Sequence, residues 1–390
     1  MRIGFIATFD PNNREEFSHA FSGIFWHMLK EFEAQGDEIE FLGPIKPDLL
    51  TNLMSKSIGI INRIFRLKPC LMAHYHPFIL ERMARKAESF VQRKKVDVVL
   101  SQATLVMSHY NSEIPLVYWR DANFADLNGT YEGGFTNIHP RSIEWANQHE
   151  YRAMNKAQLN IFSSECSYDT ATSVYKIPSS KIAIVPFGAN HTYNITKEYI
   201  DEIIKKRPND ICRLLFIGID WERKGGKVAV EICRQLNQRG IRSQLDIVGA
   251  KFEVDADTLP YINMHGFVNK HTPEGAKKLR ELFENSHFFI HPAQAEAYGC
   301  VLCEASSFGV PCIANSVGGI PTIVKNEKNG YLFSPNTPAS SYVDYIEKTF
   351  SDYNHYIKLA ETTFDEYEQR LNWTLAVKHA REVIRKVVVC

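Results

Sequence analysis

Four charged residues in the second half of the chain, two acidic and two basic, have types and spacing that could carry chemistry. Glu296 follows a short apolar run, Phe288 to Ile290, and seven residues separate it from Glu304. Paired carboxylates can perform general acid and base catalysis across a sugar bond. Arg223 and Lys224 are adjacent cations of the kind that clamp phosphate groups. These residues predict either acid and base chemistry or the binding of a phosphorylated ligand.

The elements around the glutamates read as strand, loop and helix. Gly299 precedes a run with helical character, 300–308, and Gly309 and Pro311 end it, since a left-handed glycine and a proline both terminate helices. The first glutamate is therefore expected in a loop and the second on the helix. The two cations are expected in another loop, after the strand Cys212–Gly218.

Composition limits the class of protein. The chain has 390 residues with 44% hydrophobic content, enough for two domains with separate cores, and its formal net charge is zero, which disfavours a nucleic-acid binder. Eight scattered cysteines and an N-terminus without signal-peptide features predict a reduced, cytoplasmic protein. No apolar run approaches the ~20 residues of a membrane span, so any membrane contact should be peripheral.

Alternating strand and helix patterns predict an α/β protein with two Rossmann-like, doubly wound parallel-sheet domains and a helical C-terminus. The predicted division is a domain at 1–190, a linker at 191–210, a domain at 211–370 and a final helix at 371–390 that packs back on the first domain. The first turn lacks the GxGxxG fingerprint, which counts against a nicotinamide or flavin enzyme.

Residues 46–95 are strongly basic, with eleven lysines and arginines against three acidic residues, a local net charge of +8. Isoleucines and a phenylalanine are interleaved with the cations. This pattern suits an anionic membrane surface or an acidic acceptor, and it predicts peripheral membrane contact through residues 56–95, at the inner face of the membrane. A solvated helical face, balanced by acidic residues elsewhere, is the alternative.

Several motifs resemble those of the retaining glycosyltransferases of family 4, which have the GT-B fold. In the second half these are FIGIDWERKGG (Phe216–Gly226), IVGA (Ile247–Ala250), MHGFV (Met264–Val268) and the long run Glu296–Phe333, which is the most specific. In the first half the match is looser and covers strand order and the VPFGAN loop, Val185–Asn190.

The resemblance implies two domains facing a central cleft and transfer of a sugar from a nucleotide diphosphate sugar with retention of configuration. It implies no metal and no cofactor besides this co-substrate. The acceptor would be a glycan, a lipid-linked molecule or a small molecule, in bacterial surface glycan synthesis of polysaccharide, lipopolysaccharide or glycolipid.

By the family pattern, Glu296 would hold the transferred sugar, Arg223 and Lys224 would clamp the phosphates, and Glu304 would bind the ribose. Many relatives carry a histidine where this chain has Arg120, so the role passes to Asp121 as the fourth catalytic residue. The remaining donor-binding residues implied by the pattern are Gly299, Cys300, Val301, Gly266, Phe267, Val268, Gly218, Gly188, Gly23 and Ser22.

Other interpretations of single motifs and of the whole chain compete with this one. Cys300 and Cys303 form a CxxC pair that could be a redox or zinc site, and Asp255 to Asp257 spells a DxD metal motif; a donor-site helix and a solvated turn are the simpler interpretations. For the whole chain the alternatives are a nucleotide-sugar epimerase or hydrolase on the same fold, and a non-catalytic nucleotide-sugar-binding partner subunit.

Overall fold

The computed structural model describes residues 1–9, 23–131, 135–249 and 259–388 of the chain. They form two compact units. The first unit comprises Met1–Pro186 together with Ala376–Cys390, and the second comprises Phe187–Leu375. No helix in these described ranges is both long and apolar enough to cross a membrane.

The first unit is built on a six-stranded sheet of parallel strands. Its strands are β1 (Arg2–Ile6), β2 (Glu38–Phe41), β3 (Val98–Ser101), β4 (Leu116–Arg120), β5 (Leu159–Phe162) and β6 (Ile182–Ile184), in the order β2-β1-β3-β4-β5-β6. Every residue of β3, β4 and β5 is buried, as expected for parallel strands covered on both faces. The described helices of this unit are α1 (Ile24–Ala34), α2 (Leu49–Ile64), α3 (Pro77–Gln92), α4 (Phe124–Leu127), α5 (Pro140–Lys156) and α6 (Glu165–Ser173).

The second unit contains another six-stranded parallel sheet. Its strands are β7 (Cys212–Gly218), β8 (Ser243–Gly249), β9 (Ile262–Gly266), β10 (Phe288–His291), β11 (Cys312–Asn315) and β12 (Gly330–Phe333), in the order β12-β11-β10-β7-β8-β9. The chain runs outward from β7 in one direction and from β10 in the other. Such a topological switch point leaves a crevice beyond the carboxyl ends of the two central strands, where ligands bind in this class of sheet.

Helices follow the strands of the second unit and continue to the C-terminus. They are α7 (Lys197–Lys206), α8 (Gly226–Gln238), α9 (Pro273–Asn285), α10 (Cys300–Ser307), α11 (Ile320–Ile323), α12 (Ala339–Ser351), α13 (Tyr353–Arg370) and α14 (Trp373–Val388). The predicted fold class, two Rossmann-like parallel-sheet domains with a helical C-terminus, is confirmed. Within the first unit, the Arg381 guanidinium of α14 pairs with the buried carboxylate of Asp37 at 2.7 Å.

The segment 191–210, predicted as a linker, is folded into the second unit. Its helix α7 buries Ile200 and Ile204 in the core of that unit. Arg207, directly after α7, is also buried and donates to the carbonyl oxygens of Phe308 at 2.7 Å and Gly309 at 2.8 Å. Those two carbonyls follow the last turn of α10, so the segment closes the end of a helix that carries a predicted site residue. Its polar composition comes from the exposed side of α7 and suggested a linker.

We expect Arg207→Met to lower the free energy of unfolding by about 3 kcal/mol, since it leaves buried carbonyl oxygens without a donor. The exposed Lys206 on the same helix provides the control, and Lys206→Met should change stability by no more than about 0.5 kcal/mol. Chemical denaturation of the full chain, followed by circular dichroism, measures both. Equal losses for the two variants would contradict this role of Arg207.

Candidate functional site

The predicted cations and the first predicted glutamate meet at the switch point of the second sheet. Arg223 and Lys224 lie in the loop between β7 and α8, and Glu296 lies in the loop between β10 and α10. Strands β7 and β10 are parallel neighbours, so their carboxyl ends lie at the same edge of the sheet. The topology therefore brings together side chains that are more than seventy positions apart in the sequence.

Backbone contacts lock the two loops against each other. Gly225 has φ +78°, and a β-carbon there would lie 2.1 Å from the carbonyl oxygen of Pro292. The amide of Gln294 donates to the carbonyl oxygen of Arg223 at 2.7 Å. Only glycine combines this left-handed conformation with such a close approach. The close approach fixes where Lys224, the preceding residue, meets the second loop.

Glu296 is the centre of a cluster of charged and polar side chains. Its carboxylate forms a hydrogen-bonded ion pair with the Lys224 ammonium, and the His291 Nε2 lies 3.1 Å from the Oε2 of Glu296. The Arg223 Nη1 lies 3.9 Å from the same oxygen. The Glu296 side chain is only 9% exposed, so these contacts form where water screens charge weakly.

The cluster fixes the protonation states of its members. Burial alone would raise the pKa of Glu296, but the charge of Lys224 and the hydrogen bond from His291 outweigh burial and hold that pKa far below its ordinary value. Burial and the Lys224 charge lower the pKa of His291. Glu296 is therefore a carboxylate and His291 a neutral imidazole at neutral pH. Since a carboxylate only accepts, we assign the proton of His291 to Nε2.

His291 was not predicted as a site residue, because a histidine beside a strand is usually a core or turn residue. It is the last residue of β10, completely buried, and its other ring nitrogen, Nδ1, has no hydrogen-bond partner among the described residues. Its position at the carboxyl end of a central strand was the available signal, since ligand-facing side chains of such sheets lie at that end.

Arg223 contacts both loops of the site. Its Nε pairs with Asp220 at 2.8 Å, and its Nη1 donates to the carbonyl oxygen of Ala295 at 2.9 Å. The guanidinium thus braces the loop that carries Glu296, while Lys224 supplies the cation in closest contact with the carboxylate. The two predicted cations differ in what they touch.

The second predicted glutamate also pairs with a lysine. Glu304 lies on α10, is 9% exposed, and accepts a hydrogen bond from the Lys270 ammonium at 3.1 Å. Lys270 follows the end of β9 and was not predicted as a site residue. Because 34 positions separate Glu304 from Lys270, the contact is seen only in the folded structure.

Other predicted donor residues lie at the same edge of the second sheet. Gly218 ends β7, and Gly266 ends β9 with φ +64°, followed by the exposed Phe267 and the half-buried Val268. Gly299, with φ +97°, precedes α10, whose first residues are Cys300 and Val301. The positive end of the α10 dipole therefore lies just after the Glu296 loop.

Gly188 belongs to the second unit and has a packing role. A β-carbon at this position would lie 2.3 Å from the backbone nitrogen of Trp373. Glycine is therefore required here by the close approach of α14, which is sufficient to explain the residue without a ligand.

The CxxC cysteines are buried, and burial raises the pKa of Cys303 to about 12. A thiol with so high a pKa is a poor nucleophile and metal ligand at neutral pH. Asp255 and Asp257 lie outside the described residues.

In the first unit, Arg120 stands where the resemblance predicts histidine. Its guanidinium forms a buried ion pair with Glu150 and donates to Thr104 at 3.0 Å and to Asn123 at 2.9 Å. The neighbouring Asp121 accepts a hydrogen bond at its backbone carbonyl from the Ser167 hydroxyl at 2.7 Å. Arg120 therefore stabilises the end of β4 from within the unit.

The remaining predicted residues of the first unit precede α1. Gly23 has φ +83° and is the residue before the helix, a position that favours glycine with or without a ligand. Ser22 lies outside the described residues.

In the comparison with known proteins, the family match lies within the second unit. Residues 200–365 match the family described as glycosyl transferases group 1. An uncharacterised glycosyltransferase of Methanocaldococcus jannaschii is 21% identical over 338 residues, which cover 83% of this chain and 84% of that protein. Sucrose synthase of Denitrovibrio acetiphilus is 33% identical over 102 residues, 25% of this chain, and the match spans only 13% of the length of that enzyme.

Among solved structures, sucrose-phosphate synthase from Thermosynechococcus elongatus resembles the whole chain. The TM-score is 0.69 with 15% sequence identity, and the match covers 100% of both chains. At this identity the likeness establishes the fold alone, which is the GT-B fold.

We expect Gly225→Ala to destabilise the second unit by about 3 kcal/mol, because alanine is strained in the left-handed conformation and its β-carbon would collide with Pro292. Gly240 provides a matched control, since it has φ +85° but no atom within 4 Å of a β-carbon. Gly240→Ala should lose only about 1 kcal/mol from its backbone conformation. Denaturant unfolding compares the two; equal losses would show that the loop contact is not required.

Proposed function

We propose that this chain, which is a glycosyltransferase with a group 1 domain, transfers a hexosyl group from a nucleotide diphosphate sugar to an acceptor hydroxyl with retention of configuration. The observation that carries the proposal is the buried cluster of Lys224, Glu296 and His291 at the switch point of the second sheet. It supplies a cation for a diphosphate and a carboxylate for a sugar in adjacent positions.

Lys224 would bind the diphosphate of the donor. In the structure its charge is balanced by Glu296, so the cation is kept in place inside a weakly screened site. A diphosphate carries more negative charge than a carboxylate and gains charge as the glycosidic bond breaks. The ammonium therefore stabilises the transition state more than the ground state, which is the requirement for catalysis. Arg223 and the amides at Gly299, Cys300 and Val301 would add to this positive potential.

Glu296 would hold the transferred sugar. As a carboxylate it accepts hydrogen bonds from sugar hydroxyl groups, and its negative charge complements the positive charge that develops on the ring. His291 keeps the carboxylate oriented when Lys224 turns toward the diphosphate, because its hydrogen bond to Glu296 does not involve the ligand. His291 is thus a positioning residue in this proposal.

Retention would follow from attack on the face that the diphosphate leaves. The bond between the anomeric carbon and the phosphate oxygen breaks, and the acceptor oxygen bonds to that carbon on the same face. The departing phosphate oxygen takes the acceptor proton, so the reaction needs no separate basic side chain. Cationic side chains would compensate the charge of the leaving group without a metal ion. Asp121 would contact the acceptor side of the sugar.

Glu304 and the end of β9 would bind the nucleoside. The carboxylate of Glu304 accepts hydrogen bonds from the ribose hydroxyls, and Lys270, which holds Glu304 in the structure, sets its orientation. Gly218 and the backbone of Gly266, Phe267 and Val268 would contact the base and ribose.

The acceptor would be a glycan, a lipid-linked molecule or a small molecule in bacterial surface glycan synthesis. We place the enzyme in the cytoplasm with peripheral contact at the inner face of the membrane through residues 56–95. The basic excess of this region supports the contact, because anionic lipids attract such segments.

Lys224→Ala and Glu296→Gln should each lower kcat/KM for donor turnover by about a hundredfold or more, since each removes a group that acts on developing charge. A panel of uridine, guanosine, adenosine and thymidine diphosphate sugars, assayed by release of nucleoside diphosphate, identifies the donor and measures the loss. Lys277→Ala is the control, since this lysine of α9 is exposed and pairs only weakly with Glu281 of the same helix. Undiminished turnover in Lys224→Ala would contradict the assignment.

The product should keep the anomeric configuration of the donor, and turnover should persist in a chelator of divalent metals. Proton NMR of the first product formed gives the configuration from the anomeric coupling constant. An inverted product would refute the same-face mechanism. Loss of turnover in chelator, with recovery on adding a metal ion, would refute metal independence alone.

A further inference from the structure

Helix α2 exposes large apolar side chains to solvent near both of its ends. Leu49 is 74% exposed, Ile64 is 68% exposed, and Phe65, directly after the helix, is 69% exposed. The exposed apolar residues of this helix and its end, here called the α2 stripe, are Leu49, Leu50, Leu53, Ile60, Ile61, Ile64 and Phe65. Apolar groups scattered singly on a surface are ordinary, but a contiguous patch marks an interaction site.

The stripe occupies one side of the helix. At roughly 100° of rotation per residue, its six helical members fall within a sector about 120° wide. Thr51 and Ile58, the buried residues of α2, project from the opposite side. The helix is therefore attached to the first unit by one face and presents the other outward.

Specific contacts attach that inner face. Asn62 forms two hydrogen bonds with the backbone of Leu71, donating at 2.8 Å and accepting at 2.9 Å. At the N-terminal end, Asp48 caps the helix by accepting from the Thr51 amide and accepts from the Arg82 Nε on α3, both at 2.9 Å. These contacts hold α2 in place without using the stripe.

Cations border the stripe. Lys56 and Arg63 lie along one edge of the apolar sector, and Arg66 and Lys68 follow the end of the helix. All four are exposed, and none forms an ion pair within the described part of the chain.

The acidic residues of the region are already engaged. Asp48 pairs with Arg82, Glu81 pairs with Arg85, and Glu88 accepts a hydrogen bond from the Asn111 amide. The acids therefore do not neutralise the cations beside the stripe, which remain available to an external anion.

We propose that α2 is an interfacial helix that inserts the α2 stripe into the headgroup region of an anionic lipid bilayer. An apolar sector bordered by lysine and arginine has the chemistry of helices that lie in the plane of a membrane surface. A second copy of this chain would bring the same unpaired cations face to face, and like charges repel across such a contact. Anionic lipids provide both an apolar phase for the stripe and negative charge for the cations.

This inference rests on the proposed peripheral contact and sharpens it in two ways. It moves the contact toward residues 49–68, and it adds insertion of apolar side chains to electrostatic attraction. It also narrows the acceptor to one presented at a membrane surface, a lipid-linked molecule.

The test compares sedimentation of the full chain with vesicles of phosphatidylcholine alone and with vesicles that also contain phosphatidylglycerol. We expect binding to the anionic vesicles only, with the Ile60→Ser/Ile64→Ser variant bound at least about tenfold more weakly. Lys56→Gln/Arg63→Gln should also bind more weakly and depend less on salt. Val174→Ser, which changes an exposed apolar residue of the same unit outside α2, should bind like the unchanged chain.

Donor turnover without vesicles should be the same in all these variants, because α2 and the cluster around Glu296 belong to different units. Each variant should also keep the circular dichroism spectrum and the thermal unfolding midpoint of the unchanged chain, which shows that the first unit is folded, so loss of vesicle binding then supports the insertion. Failure of the unchanged chain to bind at low salt, or equal binding by the Ile60→Ser/Ile64→Ser variant, would overturn it. So would a dimer in solution that the same variant dissociates. A chain that binds vesicles but turns over no donor would keep this inference and refute the proposed function.

Discussion

The candidate active site depends on the ion pair between Lys224 and Glu296. Both side chains are largely buried, and an uncompensated charge in a weakly screened site is strongly unfavourable. Each charge therefore stabilises the other. The pair therefore keeps a cation and an anion charged at the sheet edge before a ligand arrives. In a ligand that carries a phosphate next to hydroxyl groups, the phosphate can pair with Lys224 and the hydroxyl groups can donate to Glu296.

Several features of the second unit bring Lys224 and Glu296 together. Strands β7 and β10 are adjacent because the chain order reverses between them, and their loops touch because Gly225 allows Pro292 to approach. His291 forms a hydrogen bond with Glu296, and Arg223 donates to the carbonyl oxygen of Ala295 in the Glu296 loop. Glu304 likewise pairs with a lysine, Lys270, so a lysine from another loop holds each of the two predicted glutamates in place. Preorganised charge of this kind needs little rearrangement during reaction.

The sequence predicted the elements of this site well because strands and loops leave local signals. The apolar run at 288–290, the glycine before α10 and the cations after β7 each identify their element from neighbours in the chain. His291 and Lys270 were missed because their partners lie in space, and a single histidine or lysine carries no local mark of that. The segment 191–210 was predicted as a linker for a related reason. The buried contacts of Ile200, Ile204 and Arg207 are made with residues far along the sequence, while the exposed side of α7 dominates its composition.

The two proposed roles of the chain, sugar transfer and membrane contact, lie in different units. The second unit contains the charged cluster at its switch point, and the first unit contains α2 and its exposed stripe. In the first unit, Arg120 is buried and forms an internal ion pair with Glu150. The stripe and the cluster can therefore be altered separately.

We propose that Glu296 balances the charge of Lys224 until the diphosphate of the donor takes the place of the Glu296 carboxylate. Calorimetric titration with the nucleoside diphosphate of the preferred donor tests it in the absence of a sugar. Glu296→Gln removes the negative charge next to Lys224, so this variant should bind the nucleoside diphosphate with an affinity equal to that of the unchanged enzyme or up to about tenfold higher. Lys224→Ala should bind it far more weakly. Equal losses of affinity in the two variants would contradict the account, because Glu296 would then be needed for the diphosphate itself.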